Sequence, residues 1–95
     1  MKVESDIRDN PARSRFEMPL GDGALAVAYY KVEHGQVVLL HTEVPQELSG
    51  QGHGSRLADG VFEALRRDGK RVIAKCSFMS SYAVRRPEYD ALLDG

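Results

Sequence analysis

Residues 41–57, HTEVPQELSGQGHGSRL, carry an apolar strand into two titratable side chains, a proline, and then glycines at every other position. The residues just upstream, QVVLLHTEV (36–44), suit a strand, and Pro45 stops it because proline cannot donate to a ladder. Beyond the glycines the period changes. Leu57, Ala58, Val61, Phe62 and Leu65 recur at helical spacing, while Arg56, Asp59, Glu63, Arg66 and Arg67 take the other face. This predicts an amphipathic helix over 53–68, followed by Gly69 as a left-handed cap. KRVIAKC (70–76) then reads as a strand again. Strand, helix and strand with short connections make a βαβ unit, whose strands run parallel and whose crossover is right-handed. The carboxyl ends of both strands and the amino end of the helix then line one sheet edge, where ligands bind in open α/β folds. Glu43, the glycine loop and Cys76 are expected to meet there.

Upstream, SRFEMPL and ALAVAYYKV read as strands separated by GDG, and EHG turns the second into QVVLLHTEV. Downstream, SFMSSYAV reads as a short helix opened by Ser77, and Arg86-Pro87 breaks it before a last turn, PEYDALL. The fold class is α/β in the α+β sense. It is a mixed sheet, an antiparallel three-strand meander followed by the βαβ unit and short C-terminal helices. Residues 1–9, mostly charged and followed by an Asn10-Pro11 turn, are expected to be flexible, and residues 10–95 to form one domain.

The chain has 95 residues, 13 basic and 14 acidic, for a net charge of -1. At that balance no global field attracts nucleic acid or an anionic membrane, so any anion site must be built locally. The amino terminus is charged where a signal peptide is apolar, and no apolar run nears the ~20 residues that cross a bilayer. A cytoplasmic protein is expected. With Cys76 the only cysteine, an internal disulfide and a cysteine zinc cluster are excluded, and no metal is expected.

Strand alternation places His41 and Glu43 on the side of Val37 and Leu39, with Thr42 on the other. Neighbouring imidazole and carboxylate suit a general base; the plainer reading is a polar strand end. The loop SGQGHGS leads into a helix amino terminus, whose unpaired N–H groups and positive dipole end suit a phosphate. Gly50, Gly52 and Gly54 would let the backbone approach it, or simply make a turn. No lysine follows for a P-loop, and the glycine spacing does not fit the dinucleotide fingerprint. Cys76 lies beside Lys75 and ahead of a helix start, surroundings in which cysteine serves as a nucleophile, though a small packed hydrophobe is the alternative. Tyr82 and Tyr89 have the choice between a role at the site and core rings with bonded hydroxyls, and for Tyr89 the core reading is preferred.

Taken in order, the strand ending Glu43-Val44, the segment Gly50-Gln51-Gly52-His53-Gly54-Ser55-Arg56-Leu57, C-x-F, Tyr82 and R-x-P-E-Y-x-x-L resemble the minimal, single-domain branch of the GNAT N-acetyltransferases. The resemblance spans residues 10–93. It implies a protein that binds acetyl-CoA and transfers the acetyl group to an amine, here unidentified. Gly50, Gln51, Gly52, His53, Gly54 and Ser55 would hold the pyrophosphate of coenzyme A. Thr42, Glu43 and Val44 would pair with its pantetheine arm, Cys76 would sit near its thiol end, and Tyr82 would stand where many relatives keep a general acid. Arg85 and Arg86 could meet the 3'-phosphate or remain a solvated pair. The chain departs from the pattern at Ser49, where arginine or glutamine is usual, at His53, where a small aliphatic residue is usual, and at Lys75 and Arg86. It also lacks the strands that build an acceptor pocket in larger relatives. The other reading is therefore a non-catalytic acyl-CoA-binding or sensing module that docks a protein partner. In either case a monomer or weak homodimer is expected, with no nucleic-acid or membrane partner.

Overall fold

The computed structural model of the chain describes residues 7–94. Five strands form one sheet in the order β1-β2-β3-β4-β5: β1 Arg8–Asn10, β2 Arg15–Gly21, β3 Ala24–Glu33, β4 Gln36–Glu43 and β5 Arg71–Ala74. Helix α1 spans His53–Arg67, α2 Ser77–Val84 and α3 Pro87–Asp90. β1 through β4 pair antiparallel and β4 pairs β5 in parallel, so the meander and the βαβ unit lie where their punctuation put them. At the β3–β4 turn His34 (φ 54°) and Gly35 (φ 77°) are both left-handed, the turn geometry that matches the twist of a tight hairpin.

The amino-terminal boundary differs from expectation. Arg8 and Asp9, assigned to the flexible segment, pair with Glu17 and Phe16 as a short edge strand. Three polar residues carry no strand period, and only β2 alongside them makes them a strand. The expectation for residues 1–6 lies outside the described residues.

β4 holds the feature that shapes the rest. Tyr29 pairs with His41 but Tyr30 pairs with Leu39, so Leu40 is an extra residue, a β-bulge. A one-residue slip exchanges the faces of all that follows. Before the bulge Val37 and Leu39 join the core under the helices; after it Val44 packs against that core, and Thr42, opposite Ala28, faces the same side. His41 and Glu43 lie instead with Tyr29 and Val27 on the other face. This corrects the simple alternation.

The three helices pack together on the face of Phe16, Met18, Ala26 and Ala28. Leu57, Ala58, Val61 and Phe62 of α1 are fully buried there, each large side chain stabilising by roughly 1.5–3 kcal/mol. The chain end protects the outer edge of β5. Leu93 bridges Val72, the Asp94 amide donates to the Val72 carbonyl, and Arg71 holds the Asp94 carboxylate through its guanidinium.

Candidate active site at the split between β4 and β5

Parallel pairing of β4 with β5 ends at Leu39↔Ala74. The Lys75 and Cys76 amides both donate to the Leu39 carbonyl, at 2.9 and 3.2 Å, and the chain then turns into α2, whose N-cap is Cys76. Beyond this rung β4 continues through Glu43 with no strand partner on the β5 side among the described residues. The split therefore opens where the bulge sits. On the helix side Thr42 Oγ1 and Cys76 Sγ face each other across it at 3.8 Å, both half-buried.

On the opposite face His41 Nε2 and Glu43 Oε2 are 3.1 Å apart, at 60% and 58% exposure. An ionised carboxylate only accepts, so the imidazole donates from Nε2, and in the neutral ring Nδ1 keeps a lone pair for another proton. The pair is formed as its spacing implied, but on the other side of the sheet from the thiol. One edge thus carries two chemically distinct faces.

The glycine loop reaches the same edge. Gly50 (φ 80°) and Gly52 (φ 81°) are left-handed, and Gly52 is the N-cap of α1. Among the described residues no side chain caps the helix, and its first internal bond runs from the Arg56 amide to the Gly52 carbonyl. The amides of His53, Gly54 and Ser55 precede that bond and have no acceptor within the helix, as the first turn of any helix leaves them. Gln51 and Ser55 are exposed beside them. Ser49 contributes no side chain to the cradle, because its hydroxyl donates back to the Gln46 carbonyl at 2.9 Å. A cation stands nearby: Arg56 donates through Nη1 to His53 Nδ1, the acceptor, at 2.9 Å. Gly54 has a packing role that the spacing did not show. A Cβ there would lie 3.2 Å from Phe78 Cζ, so its absence lets the first turn of α2 close on α1.

Tyr82 is not brought to Cys76. Its hydroxyl donates to Asp59 of α1 at 3.1 Å, and Arg86 lies 3.7 Å over its ring. Burial, then the Asp59 carboxylate, raise its pKa. Tyr89 is a core ring, as expected, stacked 5.4 Å from Phe62 with its hydroxyl donating to Asp59 (3.0 Å) and Glu63 (3.2 Å). Arg66 holds the Glu63 carboxyl below its usual range. Asp59 thus fastens α2 and α3 to α1, through partners distant in sequence. A cavity of about 270 Å³ lies at the other end of the sheet, between the carboxyl end of α1 and β1–β4, lined by Phe16, Tyr30, Val37, Leu65, Asp68 and Lys70. It is separate from the split.

Comparison with known proteins agrees with this architecture. The solution structure of a GCN5-like protein from Staphylococcus aureus, itself only a candidate N-acetyltransferase, superposes with a TM-score of 0.67 at 28% identity, covering 99% of this chain and 92% of that one. No curated protein matches the chain. The family model for GCN5-related N-acetyltransferases matches residues 15–92, from β2 through the end of α3. With that match over most of its length, and with the bulged β4, the split and the glycine-led helix in place, the chain belongs to the GCN5-related N-acetyltransferase family.

Proposed function

We propose that the protein is an acetyl-CoA-dependent N-acetyltransferase, binding the coenzyme along the split between β4 and β5 and acetylating an amine. The observation that carries this reading is the opening of the split beside the amides of α1. Among the described residues, a strand segment paired on its β3 side alone and a glycine-led helix start with no side-chain cap share one edge.

The residues present fit the coenzyme. Gly52 leads into the free amides of His53, Gly54 and Ser55, which suit the pyrophosphate with the help of the helix dipole. Arg56 supplies the nearby positive charge that Ser49 does not. Thr42 and Val44 stand where the pantetheine arm would lie against open backbone, and the Cys76 thiol lies across from Thr42. When bound, acetyl-CoA supplies the acetyl group as a thioester. The chain's own residues hold the phosphates, fix the direction from which an amine arrives, and take its proton. The proton goes to Glu43 or to His41 Nδ1, which are solvent-open and oriented by one another. Cys76 either packs against Thr42 or would take the acetyl group transiently on Sγ, its own proton going to the coenzyme A released as the free thiol. Tyr82, bonded to Asp59, has a structural part.

Calorimetric titration with acetyl-CoA and with CoA tests the first half of this reading. Micromolar binding that weakens on Gly52→Val supports the cradle, and no binding up to millimolar coenzyme refutes it. Turnover against an amine panel tests the second half. Activity lost in Glu43→Gln supports the base. Unchanged turnover in both Glu43→Gln and Cys76→Ala overturns the assignment of roles, and coenzyme binding with no turnover by the parent protein marks a binding module.

A further inference from the structure

The face of the sheet opposite the helices carries two straight rows of side chains that end at the split. In one, Asn10, Arg15, Tyr29 and His41 are register partners across β1 to β4; in the next, Arg8, Glu17, Val27 and Glu43 are. The rows are laced together. Asn10 Nδ2 donates to Glu17 Oε2 at 2.9 Å, Arg15 Nε donates to the same oxygen at 2.7 Å, and Arg15 Nη1 donates to the Tyr29 hydroxyl at 3.0 Å. The Arg15 guanidinium lies 5.7 Å from the centre of the Tyr29 ring. Beyond it the His41 ring runs nearly parallel to Tyr29, 13° apart in plane and 6.2 Å between centres, and Glu43 closes the series.

We infer that Tyr29, held by Arg15 and through it by Glu17, is a positioning residue for the His41–Glu43 pair, on the face from which the acetyltransferase reading brings its amine. Three observations favour that assignment. The first is mechanical. His41 and Glu43 are about 60% exposed, too open for burial to fix their rotamers, so what orients them must lie alongside. Tyr29 is half-buried and anchored by its hydroxyl, which makes it the wall against which the imidazole settles.

The second is charge. Arg15 is paired with Glu17 and Lys31 with Glu33, so among the described residues no guanidinium or ammonium pairs with Glu43, whose partner is His41. The mouth of the split on this face is therefore a carboxylate beside aromatic rings, complementary to an ammonium. The third is placement. Thr42, Cys76 and the amides of α1 lie toward the helices, so an acceptor entering from the open face meets the split from the side that the cradle leaves free.

This inference rests on the acetyltransferase reading for its chemistry, but its first test needs no coenzyme. Benzylamine and its neutral counterpart benzyl alcohol are titrated into the uniformly 15N,13C-labelled protein. Saturable shifts at Tyr29, His41 and Glu43 with benzylamine alone are expected. Shifts that gather instead around Phe78 and α2, or equal responses to both probes, overturn the assignment of the face. In turnover with acetyl-CoA, Tyr29→Ala should raise the KM for benzylamine about three- to tenfold, the scale of one aromatic pair, with coenzyme affinity unchanged. Tyr29→Phe keeps the ring but loses the bond from Arg15, so its KM should fall between those of the parent and Tyr29→Ala. If Tyr29→Ala changes neither the benzylamine shifts nor its KM, Tyr29 positions nothing. Failure of coenzyme binding in the parent protein would sink the acetyltransferase reading by itself and leave the amine titration readable.

Discussion

Replacing Gly52 by alanine separates a glycine that the backbone requires from one that packing requires. At Gly52 φ is +81° and ψ is 8°, and a Cβ placed there meets no atom within 4 Å. The cost is then conformational alone, about 1–2 kcal/mol for an L-residue in the left-handed region. Alanine also stiffens the unfolded chain, which offsets about 0.4–1 kcal/mol. A net loss of about 1 kcal/mol remains, or about 4–8 °C in Tm for a domain of this size. Gly54→Ala, two residues on, runs the other way. That position is inside α1, where alanine is favoured over glycine by about 1 kcal/mol, but the new Cβ lies 3.2 Å from Phe78 Cζ. Phe78 is 41% exposed and can give by the few tenths of an ångström required, so Gly54→Ala should melt close to the parent protein. Paired thermal melts followed by circular dichroism check this. Equal losses in the two variants, or none in Gly52→Ala, would show that the loop is an interchangeable glycine turn and that the left-handed cap does not fix the helix start.

The other predictions concern titration and the tyrosine hydroxyls. Burial and the bond to Asp9 push Tyr30 up to about 12, so the folded state keeps its proton longer than the unfolded chain. The stability this contributes is complete below about pH 10 and is lost as pH rises from about 10 to 12; Tyr30→Phe should flatten the fall in Tm over that window. The Arg71 guanidinium holds the Asp94 carboxyl below its ordinary value, so its contribution is present at neutral pH and lost as pH falls through the carboxylate range. Arg71→Gln should shift the urea midpoint less between pH 6 and pH 3 than the parent does, and an equal shift would remove the clasp from the acid response. Tyr89→Phe should cost about 1–2 kcal/mol in urea unfolding, for a buried hydroxyl that gives up two carboxylate partners, and should exceed Tyr82→Phe, whose hydroxyl has one. The reverse order would mean that Asp59 does not tie the helices together.

Local punctuation and period made most of the fold legible. The glycines, Pro45 and the change from period two to period 3.6 mark β3, β4 and α1 closely, because each is a property of consecutive residues. The glycine loop and Cys76 were legible as edge residues for the same reason, since a parallel βαβ unit leaves no other place for them. What could not be read depends on partners distant in sequence. β1 is a strand only because β2 offers it a ladder, and Gly54 meets Phe78 only after α2 has turned back. The commitment of Tyr82 to Asp59 is equally invisible along the chain.

The bulge at Leu40 is the most consequential of these, because its effect exceeds its size. Val37-Val38-Leu39-Leu40 is a continuous apolar run with no mark at the point where one residue drops out of register. Had β4 stayed regular, His41 and Glu43 would point into the helix-covered core, where burying the imidazole and the carboxylate away from water would cost far more than their mutual bond returns. The slip sends them to the open face and delivers Thr42 and Val44 to the helix side instead. The sequence 41–44, polar and titratable at alternate positions and apolar or small at the others, is therefore compatible with this fold only if one residue is skipped before it. The bulge falls one residue past the last rung to β5, so it also lies where β4 and β5 part company. A single irregularity thus accounts for the division of the edge between a thiol and helix amides on one face and the hydrogen-bonded His41 and Glu43 side chains on the other.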